Sequence, residues 1–225
     1  TLRQPIGVVG TISPWNLPLY LLTWKIAPAI AAGNTVVSKP SEITPFTAYI
    51  FSQICIKAKI PAGVINIVHG LGDSVGEEIV KNKSVPVISF TGGTLTGRRI
   101  SEMAAKNFKK LSLEMGGKNP NIIFSDTNLE KSVGWAIKAS FLNQGQICLC
   151  GSRLFVQESI YSEFRSLFIK EVKKLIVGDP KKNNSFLGAV SSKQHMKSIL
   201  EKVDLAKKEG GKILYGGKRK VLTGH

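Results

Sequence analysis

The chain has 225 residues, 43% of them hydrophobic, enough for a large core in one big domain or parts of two. Its 31 Lys and Arg against 15 Asp and Glu give a net charge of +16. The lysines are scattered in pairs such as Lys109-Lys110 and Lys181-Lys182, with no basic run interleaved with aromatics, which argues for a solvated face and against a nucleic-acid partner. No apolar run approaches the roughly 20 residues that span a bilayer, since Pro18, Lys25 and Pro28 interrupt Leu17 to Ile30, so no membrane partner is expected.

The first half alternates strands and helices. Ile6 to Ile12 predicts a strand, Ser13-Pro-Trp-Asn16 a turn, and Leu19 to Ala32 a helix stopped by Gly33-Asn34. Thr35 to Ser38 predicts a short buried strand, Pro45 to Lys59 a helix, and Val64 to Val68 a strand. His69 to Gly76 then opens a helix that runs to Lys81. Val85 to Phe90 predicts a strand, Thr91-Gly-Gly93 a turn with a helix to Lys106 behind it, and Lys110 to Glu114 a further strand. Short apolar strands alternating with helices imply a parallel sheet covered on both faces, which binds ligands at the carboxyl ends of its strands. Asn16, Lys39, Glu42, Gly70 to Gly76, Thr91 to Gly93 and Glu114 all follow strands, so they should line one crevice.

Beyond Gly116-Gly117 the texture changes. Asn121 to Phe124 predicts a strand, Asp126 to Phe141 a helix, Ser152 to Gln157 a strand, Tyr161 to Ile176 and Ser191 to Lys208 long Lys-studded helices, and Lys212 to Tyr215 a last strand. The expected fold class is therefore α/β, a Rossmann-like parallel-sheet cofactor domain over residues 1–115 followed by part of a second α/β catalytic domain over 116–225. The chain does not begin with Met and stops at Leu222-Thr-Gly-His225, which reads as an excerpt of a longer protein. Targeting segments would then lie outside it. There is no signal-peptide pattern, and cysteine is used only at Cys55, Cys148 and Cys150. That suits a reducing, cytoplasmic location. Cys148 and Cys150 are too close for an ordinary bridge, and the three histidines lack zinc-ligand spacing, so no metal is expected.

Two glycine turns follow strands and open helices. Gly70-Leu-Gly72-Asp-Ser-Val-Gly76 departs from the usual dinucleotide spacing and is a weak signal alone; tight packing would produce it too. In Phe90-Thr-Gly-Gly-Thr-Leu-Thr-Gly97, backbone amides at a helix start could face a phosphate. Lys39-Pro-Ser-Glu42 is either a solvated lysine beside a helix N-terminus or a ribose site. In the second case the Glu42 carboxylate accepts from ribose hydroxyls and repels a 2'-phosphate, favouring NAD over NADP.

Cys148 lies in a small polar stretch, Asn143-Gln-Gly-Gln-Ile-Cys-Leu-Cys-Gly-Ser-Arg153, and Glu114 ends an apolar strand before a Gly-Gly turn. A thiol nucleophile and a separate carboxylate base are the parts needed to form a covalent thioester and hydrolyse it. Each residue also has a plain structural reading. Asn16 could be an Asx turn, Glu114 a turn contact, and a lone Cys is more often a buried apolar residue, as read here for Cys55 and, with a structural role, Cys150.

Pro14-Trp-Asn, Lys39-Pro-Ser-Glu, Phe90-Thr-Gly-Gly, Leu113-Glu-Met-Gly-Gly and Gly145-Gln-Ile-Cys occur together in one order. In that order and at those separations they resemble the NAD(P)-dependent aldehyde dehydrogenase superfamily over essentially the whole chain. The resemblance implies Cys148 as nucleophile, Glu114 as general base and Asn16, with the Cys148 backbone N–H, as oxyanion hole. It implies NAD contacts from Ile12, Ser13, Trp15, Lys39, Ser41, Glu42, Gly72, Gly76, Phe90, Thr91, Gly92, Gly93, Gly97 and Gly116. The family more often has Ser where this chain has Gly93, which leaves any phosphate contact there to the backbone. It further implies a small-molecule aldehyde as substrate and a homo-oligomer, dimer or tetramer, for the full-length protein. The segment Asn143 to Phe164 is most similar to the 2-aminomuconic semialdehyde branch (family 8), implying oxidation of a semialdehyde in tryptophan catabolism; betaine aldehyde and retinal-type branches stay open. The competing reading is a truncated, non-catalytic nucleotide-binding or interaction product of such a gene.

Overall fold

Apolar side chains on both faces of the central strands set the architecture of the first unit. In the computed structural model, which describes residues 4–221, β1 (Val8–Ile12), β2 (Thr35–Lys39), β3 (Ile65–Ile67), β4 (Val87–Gly92) and β5 (Lys110–Met115) form one parallel sheet in the order β3-β2-β1-β4-β5. Alternate residues point to opposite faces. Val9, Val36, Ile65, Ile67 and Val87 meet Leu22, Ile26 and Ala48 of α1 (Pro18–Ala31) and α2 (Phe46–Lys57). On the other face Ile12, Val37, Ile88, Phe90 and Leu113 meet Ile79, Val80, Ile100 and Ala104 of α3 (Glu77–Lys81) and α4 (Thr94–Ala105). Leu22 is fully buried, a burial that stabilises the unit by about 1.5–3 kcal/mol. The chain winds outward from β1 through β2 to β3, then returns past β1 to place β4 and β5 on its far side. The direction reverses between β1 and β4, where the loops part and leave a crevice.

The ends of these elements have local causes. Pro18 opens α1 where its missing N–H has no intrahelical use. Gly33, at φ +79°, closes the helix, and the buried Asn34 ties its end to the start of β1: Oδ1 accepts from Ile6 N and Gly7 N at 2.7 and 3.0 Å, and Nδ2 donates to Ala29 O at 3.1 Å. β4 begins two residues later than the sequence suggests and runs on through Thr91 and Gly92, which pair with Glu114 and Met115. Thr91 and Gly92 are thus strand, not turn, and Gly93 alone caps α4. Pro86, which has no N–H, only accepts, from Lys110 N at 2.9 Å, so the ladder starts after it.

The contacts divide the chain after Gly116. The second unit, Gly117–His225, has a parallel pair, β6 (Pro120–Ile123) and β7 (Arg153–Val156). Ile123 packs on Val133, Ala136 and Ile137 of α5 (Leu129–Phe141) and Phe164 of α6 (Glu158–Val172), with Phe164 stacked on Phe168 at 5.7 Å. Asn128 Oδ1 accepts from Lys131 N at 3.0 Å, so α5 starts at Leu129 and not at Asp126. Ser192 caps α7 (Lys193–Lys208) in the same way. The strand expected at Lys212 to Tyr215 does not form. No described backbone runs beside it to complete a ladder, and Ile213, Leu214 and Tyr215 instead line an apolar pocket with Tyr161, Phe164 and Phe168. No helix among the described residues is long and apolar enough to cross a membrane.

Candidate functional site

All five strands of the first sheet run the same way, so the segments after them share one edge. Lys39, the last residue of β2, is paired with Ile12 and turns its side chain toward α3. That side chain is only 3% exposed; Nζ donates to Glu42 Oε2 at 2.9 Å and Pro40 O at 3.0 Å. Glu42 is 44% exposed and keeps its carboxylate at the surface. Burial pushes the Glu42 carboxyl up, but the hydrogen bond from Lys39, its own backbone N–H and the Lys39 charge outweigh it and hold the group below the ordinary carboxylate range. Ser41 Oγ accepts from Ile43 N at 3.2 Å and stiffens the turn. Ser13 is buried and its N–H donates to Lys39 O at 3.1 Å, prolonging the β1–β2 ladder. Trp15 and Asn16 are half-buried in the bend before α1, and Thr44 Oγ1 donates to Trp15 O at 3.4 Å.

A slot of about 190 Å³ opens between α3 and α4, lined by Ile12, Gly72, Asp73, Gly76, Glu77, Val80, Thr96, Arg99, Ile100 and Met103. It adjoins the Lys39–Glu42 pair: a Cβ on Gly76 would lie 3.7 Å from Lys39 Cδ. Gly72 and Gly76 bound a single wide helical turn that leads into α3. Glu77 accepts from Lys81 at 2.8 Å and from Arg99. A Cβ on Gly72, Gly93 or Gly116 would meet nothing within 4 Å, so the backbone there is open to a close approach. Phe90 and Thr91 are buried, and Gly97 lets α4 sit on β5, where a Cβ would come 2.6 Å from Met115 Sδ.

Glu114 is exposed near the end of β5, paired with Thr91 and on the sheet face that α1 covers. Beneath it lies a residue the sequence offered only as a break in an apolar run. Lys25 of α1 is 7% exposed, and its Nζ donates to Ser89 Oγ at 3.2 Å. Burial pushes the Lys25 ammonium below its usual pKa, and the Glu114 charge recovers part of that fall.

In the second unit α5 ends at Phe141 and the chain reverses through Asn143, Gln144 and Gly145, all left-handed with φ of 52°, 58° and 69°. Two non-glycine residues in that region cost of order 1–2 kcal/mol each, a cost often met at functional sites. The turn delivers the half-buried Cys148, whose carbonyl accepts from Asn119 Nδ2 at 2.7 Å; the same amide reaches Cys150 O at 3.3 Å. Asn119 stands next to β6 in the Gly-Gly-Lys-Asn-Pro run, a clue passed over in the sequence. Gln146 Oε1 accepts from Ser191 N at 3.0 Å, tying the loop to the segment before α7. Cys150 and Cys55 are buried, and burial raises the Cys55 thiol pKa, with its own backbone N–H pulling the other way.

The chain matches the model of the aldehyde dehydrogenase family over residues 1–225. It is 55% identical to 2-aminomuconic semialdehyde dehydrogenase of Mus musculus over 216 residues, covering 96% of this chain and 44% of that protein. It is 46% identical to betaine aldehyde dehydrogenase of Bacillus subtilis, covering 97% of this chain and 44% of that protein. The chain thus spans less than half the length of these curated relatives. A crystal structure of betaine aldehyde dehydrogenase from Staphylococcus aureus, in complex with NAD+, superposes with a TM-score of 0.95 at 43% identity, covering 96% of this chain and 43% of that one. An NADP-dependent enzyme of E. coli superposes at 0.93 with 40% identity, covering 96% of this chain and 45% of that one. The chain therefore belongs to the aldehyde dehydrogenase family.

Proposed function

We propose that this chain carries the NAD-binding and nucleophile-bearing parts of an NAD-dependent aldehyde dehydrogenase acting on a semialdehyde of the 2-aminomuconate type, as in tryptophan catabolism. The observation that carries the reading is the Lys39–Glu42 pair, a buried lysine holding a surface carboxylate, beside a slot of about 190 Å³. The residues present fit NAD: Glu42 and Lys39 for the adenosine ribose, Gly72 and Gly76 along the slot, and the open backbone at Gly93, the N-cap of α4, for a phosphate. A 2'-phosphate would meet the ionised Glu42 carboxylate, which favours NAD over NADP.

NAD, when bound, supplies the acceptor for the hydride that leaves the covalent adduct. The chain's own residues do the rest. The Cys148 thiolate attacks the aldehyde carbon, forming the C–S bond and placing the electron pair on oxygen. The Asn16 amide and the Cys148 backbone N–H donate to that oxyanion. Loss of the C–H hydride leaves a thioester on Cys148. Glu114 takes a proton from water, whose oxygen attacks the thioester; the C–S bond breaks, the carboxylic acid departs and the thiolate returns. Residues 1–115 form the cofactor domain in this reading and 116–225 part of the catalytic domain, in a cytoplasmic homo-oligomer. The similarity to the 2-aminomuconic semialdehyde dehydrogenases of mouse, human, cattle and zebrafish at 50–55% identity supports the substrate class; the Pseudomonas counterpart, at 45%, stands level with the betaine aldehyde enzyme at 46%.

The test is NADH formation by the native protein with 2-aminomuconate semialdehyde and with betaine aldehyde. Cys148→Ala should abolish both aldehyde oxidation and ester hydrolysis, and surviving oxidation ends the nucleophile assignment. Glu114→Gln should leave one burst of NADH and slow turnover; an unchanged steady-state rate removes it as the deacylation base.

A further inference from the structure

The slot between α3 and α4 has an unusual wall. Thr96, Arg99, Ile100 and Met103 lie at i, i+3, i+4 and i+7 along α4 and line it together, so Arg99 belongs to the slot face of its helix. No aromatic side chain lines the slot, and its apolar surface is aliphatic: Ile12, Val80, Ile100 and Met103. Aliphatic carbons can hold one face of a flat base and leave its other face free for a planar group at the rim. Arg99 is 61% exposed and so stands at the rim, and it is joined to Glu77, 12% exposed, across the gap between the two helices. An exposed ion pair adds only about 0–1 kcal/mol of stability, little reason by itself for an arginine at this point. What the pair does is hold a flat, delocalised cation at the rim of an aliphatic slot, and such a cation can stack on an aromatic ring.

We propose that Arg99, aimed by Glu77, stacks on the adenine of the dinucleotide and closes the slot over it. This rests on the nucleotide reading above and adds a recognition residue to it. Glu77 then has two tasks: it orients the guanidinium, and its charge, shared with Lys81, keeps the slot mouth from being purely cationic.

The experiment measures Kd by calorimetry for NAD, AMP and nicotinamide mononucleotide in the native protein and in Arg99→Ala, Arg99→Lys and Glu77→Gln. Arg99→Ala should weaken NAD and AMP by about three- to tenfold, the range expected of one cation–ring contact, and leave nicotinamide mononucleotide unchanged. Arg99→Lys, which keeps the charge and loses the plane, should recover only part of the loss. Glu77→Gln should weaken AMP by less than Arg99→Ala does. Unchanged AMP affinity in Arg99→Ala overturns the proposal, and so does full recovery in Arg99→Lys, which would mean simple attraction to a phosphate. Equal losses for all three ligands would mean a structural role and overturn it as well. A native protein that binds neither NAD nor AMP refutes the nucleotide reading itself, a result distinct from any change confined to the variants.

Discussion

An alanine at Gly10 would tie the packing of the first unit to its ligand slot. Its Cβ would lie 2.6 Å from Ile79 Cγ2, 2.9 Å from Val85 Cγ1 and 2.9 Å from Ile88 Cδ1, all well inside contact distance. Ile88 Cδ1 is the end of a side chain and can swing. Ile79 Cγ2 and Val85 Cγ1 sit on branched β-carbons and move only with χ1 or the backbone. All three residues are buried in one cluster, so no free volume receives them. Overpacking of this kind costs about 1–3 kcal/mol, and two stiff contacts below 3.0 Å put Gly10 in the upper half of that range; the lost freedom of the unfolded chain returns about 0.4–1 kcal/mol, leaving roughly 1–2.6 kcal/mol of net destabilisation. Ile79 belongs to α3, so the strain falls on the helix that carries Glu77 and should also weaken AMP binding. Urea unfolding followed by far-UV circular dichroism reads the first effect as a lower midpoint at unchanged slope. Gly134→Ala is the control: this glycine lies inside α5 with nothing within 4 Å of its Cβ, and alanine there should stabilise by about 0.5–1 kcal/mol. A Gly10→Ala protein as stable as the parent would show that this core yields freely and would refute the reasoning.

Glu42→Gln should weaken NAD severalfold and NADP less, narrowing the discrimination between them; an unchanged NAD/NADP ratio in equilibrium binding would remove Glu42 from the ribose. The Glu42 carboxyl is held below its ordinary value, so its contribution to folding is present above the unfolded value of about 4.3 and is lost as pH falls through the lower folded value. The Lys39–Glu42 pair should therefore persist throughout pH 5–8, and NAD affinity should show no step in that window from this group. Lys25 behaves in the opposite way. Burial lowers its pKa, so at alkaline pH below about 10.4 the unfolded chain binds more protons at this site than the folded one, and stability gains with pH there. The stability difference between the native protein and Lys25→Met should drift in favour of the native protein as pH rises toward about 10.4; a constant difference would mean that Lys25 titrates as an ordinary surface lysine.

The sequence by itself determined the order and kind of the elements and the residues that mark the family. Both are local: period-two apolar strands, amphipathic helices, and glycine or proline stops depend on residues a few positions apart, and so do short runs such as Gly145-Gln-Ile-Cys. What depends on pairing was not legible. Lys212 to Tyr215 has strand-like residues, yet a strand exists only where a neighbouring backbone meets its N–H and C=O groups, and none among the described residues does. Thr91 and Gly92 look like a turn and become strand because β5 runs alongside them. Lys25 looked like a flaw in an apolar helix; only the packing of α1 on the sheet shows it buried against Ser89, 64 residues away, on the face that carries Glu114. The Glu77–Arg99 pair likewise spans 22 residues and two helices, and only the reversal of the sheet between β1 and β4 brings α3 and α4 side by side. Periodicity reports what one backbone does with its own neighbours, whereas a slot or a buried charge is made where distant segments meet, and that meeting is set by the order of the strands.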